Sequence, residues 1–374
     1  MSLWNEQEGA LINRVYEDIL SFNADQLLSK KCTAAYLSHV DPHGKHIAYQ
    51  LTYCQDLPTF IEDRLSIAQT REIFRDNERK LIDDLPAGAI MQTYKKSFGE
   101  FVYAKSFKRV FKIPLCQFEN YVFFLILFSE DNSIINNDFN DSLSIEKPRM
   151  CSKITAFYTA LIKIKNFFLS YRKILELKGD ETFPHMERVG LYSHEIAIKT
   201  WILSKQLNRH DIKKKFSPFT LEALKIAATI HDIGKLAMPD IILNKPAKLT
   251  KEEFEIIKTH SSKGMEIINT AFPQNDSTQS SLFSQEFMAI ITMTKEIIHQ
   301  HHERLDGSGY PNGLKGSDIG LYSKIVMVAD VFDAITSKRI YKAKQSSQLA
   351  ITEIVHKQCE KYDPLILEAL LRAC

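Results

Sequence analysis

The chain has 374 residues, 44% hydrophobic and 25% charged, the composition of a globular protein with room for more than one hydrophobic core. A formal net charge of +2 gives no electrostatic case for a surface that binds a nucleic acid polymer, so any anionic ligand must be held locally. The longest apolar run, Tyr121 to Phe128, is too short to span a bilayer, no cleavable signal opens the chain, and Cys32, Cys54, Cys116, Cys151, Cys359 and Cys374 lack Cys-x-x-Cys spacing, which predicts a cytoplasmic protein with reduced thiols and no membrane partner.

Residues 1–150 have a mixed α+β texture. Leu11 to Leu28 carry apolar positions at helical spacing. Ala34 to Val40 and Ile47 to Tyr53 are strand-like and flank Asp41-Pro42-His43-Gly44, a turn sequence, so the pair predicts a hairpin. Phe101 to Val110 combine aromatic and β-branched residues. Tyr121 to Phe128 read as a buried strand ending in the polar loop Ser129 to Asn137. The order helix, hairpin, helix, strand, buried strand, helix resembles a GAF-type sensor domain.

In residues 151–180, Ile154, Phe157, Leu161, Ile164, Phe168, Tyr171 and Leu175 recur in steps of three and four. This linker helix reads either as a core helix of the first domain or as a coiled-coil seam. The seam would join two chains in a homodimer and carry a signal between domains. Lys163 and Lys165 interrupt any membrane reading.

Residues 181–374 are helical in pattern throughout. His185 to Leu207, Thr220 to His231, Lys251 to Thr270, Gln285 to His302, Leu321 to Ser337 and Ser347 to Glu360 all show helical periodicity, and Thr250 with Glu253 forms a capping box. Pro273 to Ser284, rich in Ser, Gln and Asn, interrupts this pattern and reads as a mobile loop that tunes access to the site.

The chemistry lies at the ends of these helices. His231 and Asp232 end one helix just before Gly234, His301 and His302 close another, His260 lies between, and Asp330 sits mid-helix among Val328, Ala329, Val331 and Phe332, where a carboxylate is costly unless paired or metal-bound. A single such residue is ordinarily a hydrogen-bonded structural group. The conjunction of imidazoles and carboxylates without thiolate points to iron or manganese more than to structural zinc, and to metal-assisted hydrolysis.

The segments His231-Asp232-Ile233-Gly234-Lys235, Met238 to Leu243, His301-His302-Glu303-Arg304-Leu305-Asp306-Gly307-Ser308-Gly309-Tyr310-Pro311 and Ala329 to Arg339 resemble the HD-GYP family of cyclic di-GMP phosphodiesterases within the HD superfamily. The resemblance implies an all-α HD-type catalytic domain over 181–374. It implies His185, His231, Asp232, His260, His301, His302 and Asp330 as ligands of two iron ions, or manganese in their place, with Glu181 serving a third ion. Pro184 puts Glu181 in question, because proline is most comfortable in a first helical turn and Glu181 then precedes the helix. The resemblance makes Asp232 the bridging and catalytic carboxylate and places Lys235 to interact with phosphate or assist a proton transfer. The resemblance assigns Tyr310 to substrate recognition and Arg339 and Lys342 to phosphate or guanine contacts, and it implies a signalling partner, such as a diguanylate cyclase, at the loop around Tyr310. The expected reaction opens cyclic di-GMP to linear pGpG, with GMP as an alternative end product. The rival readings are a cyclic di-GMP receptor or scaffold with little turnover and a hydrolase of another cyclic dinucleotide. Ile340 replaces the Pro usual in the family, and the interval from His260 to His301 is longer than usual.

Overall fold

A computed structural model describes residues 32–40, 45–50, 60–64, 83–86, 109–118, 121–129, 137–178, 182–273, 284–337 and 346–374. The chain divides into two compact units, one ending at Thr155 and one running from Ala156 to Cys374.

The first unit contains an antiparallel sheet of β1 (Cys32–Val40), β2 (Lys45–Gln50), β3 (Phe60–Arg64), β4 (Asp83–Pro86), β5 (Arg109–Phe118) and β6 (Tyr121–Ser129), ordered β3-β2-β1-β6-β5-β4. β1 and β2 pair antiparallel with Val40 opposite His46, the hairpin expected around Asp41 to Gly44. The continuous apolar run becomes β6, flanked by β1 and β5, and Val122 and Phe123 on it are buried. Successive strand residues point to opposite faces, so the burial of these two neighbours means that both faces of β6 are covered there. Of the aromatic stretch Phe101 to Val110, Arg109 and Val110 lie in β5; residues 101–108 lie outside the described residues, as do Leu11 to Leu28.

The linker forms α1 (Asn137–Ser170) and α2 (Arg172–Lys178), and its apolar stripe packs as a core face. Phe157, Leu161, Ile164, Phe168 and Leu175 are all buried within the chain. The Phe157 ring packs 4.6 Å from that of Phe219, and Phe168 stacks on Phe183 at 5.6 Å. Spacing by threes and fours specifies an apolar stripe but not which surface covers it. Here the helical unit itself covers it, so these side chains are not available to a second chain.

That unit continues with α3 (Thr182–Gln206), α4 (Pro218–Thr229), a 3-10 turn (Ile233–Ala237), α5 (Lys251–Lys258), α6 (His260–Ala271), α7 (Gln285–Gln300), α8 (Leu321–Thr336) and α9 (Pro364–Ala373). Ser217 and Thr220 form a capping box before α4, and Thr250 and Glu253 form the expected one before α5. The single helix expected over Lys251 to Thr270 breaks at Thr259, whose hydroxyl donates to the Ile256 carbonyl at 2.6 Å. Such local bonds compete with the helical ladder and bend it. The helix expected over Ser347 to Glu360 is regular only over Ser347–Ile351 and widens into a π-type turn over Thr352–Lys357. No described helix is long and apolar enough to cross a membrane.

Candidate metal centre

The centre is assembled by helix ends that approach at backbone distance. A Cβ on Gly234 would lie 1.8 Å from the His260 carbonyl oxygen and 2.6 Å from the Gly264 nitrogen. Only glycine lets the start of α6 close on the 3-10 turn in this way. The result brings His260 Nε2 within 3.1 Å of Asp232 Oδ1. α4 ends at Thr229, so His231 and Asp232 follow where the backbone leaves the regular spiral and both can face inward.

The terminal turns also set the histidine tautomers. His231 Nδ1 donates to the Ala228 carbonyl at 2.7 Å, His260 Nδ1 to that of Ile257 at 2.7 Å, and His301 Nδ1 to those of Ile298 and Ile297 at 3.0 and 3.1 Å. These carbonyls lie in last turns, which lack a full set of helical partners. Each bond places the proton on Nδ1 and leaves Nε2 as a lone-pair donor aimed into the centre, the usual arrangement behind metal-ligating histidines.

Asp232 lies at the middle. His185 Nε2 is 3.5 Å from its Oδ2, His231 Nε2 3.3 Å from Oδ2, and His301 Nε2 3.7 Å from Oδ1. Asp330 Oδ1 lies 3.3 Å from His185 Nε2 and its Oδ2 3.8 Å from His302 Nδ1. Donor atoms of Asp232, His260, His301 and His302 all fall within 4.8 Å of one another, as do those of His185, His231 and Asp232. Two adjoining sets therefore share Asp232. His231 Nε2 and Asp232 Oδ1 are buried without a hydrogen-bond partner. Buried polar atoms are rarely left so, and a divalent cation would satisfy both. The donor set fits a divalent metal.

Charge follows the same plan. Burial holds the His301 pKa down to about 3 and that of His302 well below the ordinary imidazole value, so both are neutral donors. Against the opposing effect of burial, Lys235 keeps the Asp232 carboxyl well below its usual range, and His185 does the same for Asp330. Burial lowers His185 too, but the hydrogen bonds its ring donates to Asp232, Asp330 and Asp333 raise it to about 10. A cation held at Nε2 would take the place of that proton, as metal binding to imidazole requires. Lys235 Nζ donates directly to Asp232 Oδ2.

Two residues that the sequence reading passed over complete the surroundings of His185. Asp333, buried at 1% exposure, accepts from His185 Nδ1 at 2.7 Å and from Arg188 Nε and Nη2 at 2.6 and 3.1 Å. Its pKa is lowered to about 2, the bonds from His185 and Arg188 outweighing burial. The signal was present: His185 and Arg188, like Asp330 and Asp333, are three residues apart and share a helix face.

The loop after His302 folds back over the centre. The Tyr310 ring lies 4.6 Å from that of His302, inclined by 33°, and its N–H donates to the His302 carbonyl at 3.2 Å. Burial, with Asp232 and Asp330 nearby, raises the Tyr310 pKa, so the phenol stays protonated and can donate. Glu303, also passed over, is fully buried, and its two oxygens accept from the N–H groups of Asn312 and Leu314 at 2.8 and 2.9 Å. The structure thus brings His185, His231, Asp232, Lys235, His260, His301, His302, Tyr310 and Asp330 together. Glu181, Arg339 and Lys342 lie outside the described residues, as does most of the interval from Pro273 to Ser284.

Residues 202–366 match the family model of the HD domain, a span that includes every ligand candidate from His231 to Asp330. A probable cyclic di-GMP phosphodiesterase of Vibrio cholerae serotype O1 is 32% identical over 232 residues, covering 62% of this chain and 48% of the relative. A cyclic di-GMP phosphodiesterase of Thermotoga maritima is 37% identical over 216 residues, covering 58% of this chain and 49% of the relative. A 3'3'-cGAMP-specific phosphodiesterase of Vibrio cholerae serotype O1 is 31% identical over 207 residues, covering 55% and 34%. The chain spans half or less of the length of these relatives. It carries an HD domain with relatives named cyclic di-GMP phosphodiesterases.

Proposed function

We propose that this chain is an HD-GYP phosphodiesterase that opens cyclic di-GMP to linear pGpG, or onward to GMP, with two or three iron or manganese ions. The observation that carries this is the pair of adjoining donor sets sharing Asp232, with His231 Nε2 and Asp232 Oδ1 buried and unpartnered. A shared carboxylate suits a multinuclear centre, because it can offer one oxygen to each ion. Relatives named for this activity support the substrate.

In this reading His185, His231, His260, His301, His302, Asp232 and Asp330 hold the ions, with Glu181 serving a third. Divalent ions supply Lewis-acid charge and an acidified water at neutral pH. The chain's own groups then orient the substrate. Lys235 Nζ donates to Asp232 Oδ2, so a phosphodiester held at the ions would lie near it, and it could neutralise that charge or pass a proton to the departing ribose oxygen. Tyr310, kept protonated over His302, donates a hydrogen bond to the substrate, and Arg339 and Lys342 contact phosphate or guanine.

The antiparallel sheet of the first unit, with its opening hairpin, supports a GAF-type sensor over 1–150 that regulates the catalytic domain of 181–374 through the helix between them.

Anaerobic purification, metal analysis and product chromatography with cyclic di-GMP and 3'3'-cGAMP test the proposal. The expected result is bound iron or manganese and pGpG or GMP from cyclic di-GMP. The cGAMP arm is included because one relative of comparable identity is named for that substrate. Preferential turnover of 3'3'-cGAMP would reassign the substrate, and binding without product would make the chain a receptor.

A further inference from the structure

Beside the metal centre, α5 presents an aromatic ring and an ammonium group that the proposed chemistry does not use. α5 buries none of its residues, and Phe254 on it is 45% exposed. Phe254 and Lys258 are four residues apart and share a helix face. Lys258 Nζ lies 5.0 Å from the Phe254 ring centre and 5.7 Å from that of Tyr310. The Phe254 and Tyr310 rings are 6.4 Å apart at 83°, and Tyr310 lies on His302. An aromatic surface therefore runs from the ligand His302 through Tyr310 to the exposed ring of Phe254.

A single exposed apolar side chain is ordinary. Phe254 differs because its surface continues the reaction site. Lys258 is paired with Glu255 at 2.6 Å, but that carboxylate is 68% exposed. Such a surface pair holds the ammonium weakly. A cyclic dinucleotide has two bases and two phosphodiesters, of which one reacts at a time. The second base and second phosphate need a site outside the metal centre, and a flat ring beside a cation matches both.

Resting on the cyclic dinucleotide reading above, we infer that Phe254 and Lys258 form an outer substrate subsite, Phe254 stacking on one purine base and Lys258 pairing with the phosphate away from the metals. Stacking on an aromatic side chain tolerates any base, so this subsite contributes affinity more than base identity.

The test compares full-length wild type with Phe254→Ala, Phe254→Leu, Phe254→Trp and Lys258→Gln in steady-state turnover of cyclic di-GMP, with metal content measured for each. Phe254→Ala and Phe254→Leu should raise KM about tenfold with kcat and metals unchanged, the mark of lost uniform binding. Phe254→Trp should restore KM, and its additional fluorescence over wild type should be quenched by a hydrolysis-resistant phosphorothioate analogue of cyclic di-GMP. Lys258→Gln should raise KM and flatten its salt dependence. Wild-type turnover with an unchanged KM in Phe254→Ala and Phe254→Leu overturns this inference alone, as does an unquenched Phe254→Trp variant that still binds the analogue. Lower kcat with lost metal in the Phe254 variants also overturns it, assigning the ring a structural role. A wild type that neither binds nor cleaves cyclic di-GMP or 3'3'-cGAMP overturns the dinucleotide reading and this inference with it.

Discussion

Replacing Glu303 by alanine should release the loop that carries Tyr310 without removing any metal ligand. Glu303 Oε1 and Oε2 accept from the backbone N–H groups of Asn312 and Leu314, and Gly309 packs so closely that a Cβ there would lie 2.4 Å from Glu303 Cα. A hydrogen bond to a charged group contributes about 1.5–3 kcal/mol net. With water entering the vacated space, losing both bonds should cost about 3 kcal/mol of loop closure. At about 1.4 kcal/mol per tenfold, hydrogen exchange at the Asn312 and Leu314 amides should accelerate on the order of 100-fold. Glu303→Gln keeps one carbonyl acceptor but turns an NH₂ group toward the other amide, so its exchange should fall between wild type and alanine. The KM for cyclic di-GMP should rise in the same order, since Tyr310 loses its fixed seat over His302. Amide exchange by NMR or mass spectrometry over residues 303–315 reads the effect. Unchanged protection in Glu303→Ala would refute the reasoning, because it would mean that the carboxylate does not hold the loop.

Asp333→Asn should lower metal affinity about 10–100-fold, as loss of a partner behind a ligating histidine typically does, measurable by chelator competition. Unaltered retention would leave Asp333 a purely structural role. His301→Ala and Asp330→Ala should abolish turnover with the helical circular dichroism retained, and full activity in either variant after metal depletion would contradict the metal mechanism. Burial raises the Glu296 pKa to about 7, so between about pH 4.5 and 7 the folded chain binds more protons than the unfolded one and stability falls as pH rises. Glu296→Gln should flatten that slope and stabilise the protein above pH 7 in denaturant titrations; an identical slope in both proteins would exclude Glu296 as its source.

Most of the proposed ligands were legible by position, His231, Asp232, His301 and His302 at helix ends and Asp330 as a carboxylate inside an apolar helix. Their mutual placement was not, since it depends on the contact of Gly234 with His260 across a break at Thr259 that periodicity conceals. Asp333 and Arg188 were readable by spacing but not by chemistry, because each looks like an ordinary charged helix residue until His185 is set between them. Glu303 stood inside the most conspicuous segment, yet its partners are backbone amides nine and eleven residues onward, which no side-chain pattern announces. The apolar stripe from Phe157 to Leu175 was read as a core face or a coiled-coil seam, a choice that spacing could not make; the helical unit buries it. α9 was missed although Asp363-Pro364 carries both an N-cap and a first-turn proline.

The bonds from His231, His260 and His301 to carbonyls three residues earlier make the centre depend on chain length more than on side-chain identity near its ligands. Ala228, Ile257 and Ile298 act through their backbone oxygens, so any residue that packs in their place keeps the donor in position. Adding or deleting one residue in the last turn of α4 or α7 is different, because it rotates the following ligand by about 100° and aims Nε2 away from its neighbours. As sequences carrying this fold diverge, substitutions within these helices should therefore be tolerated far more readily than changes in their length.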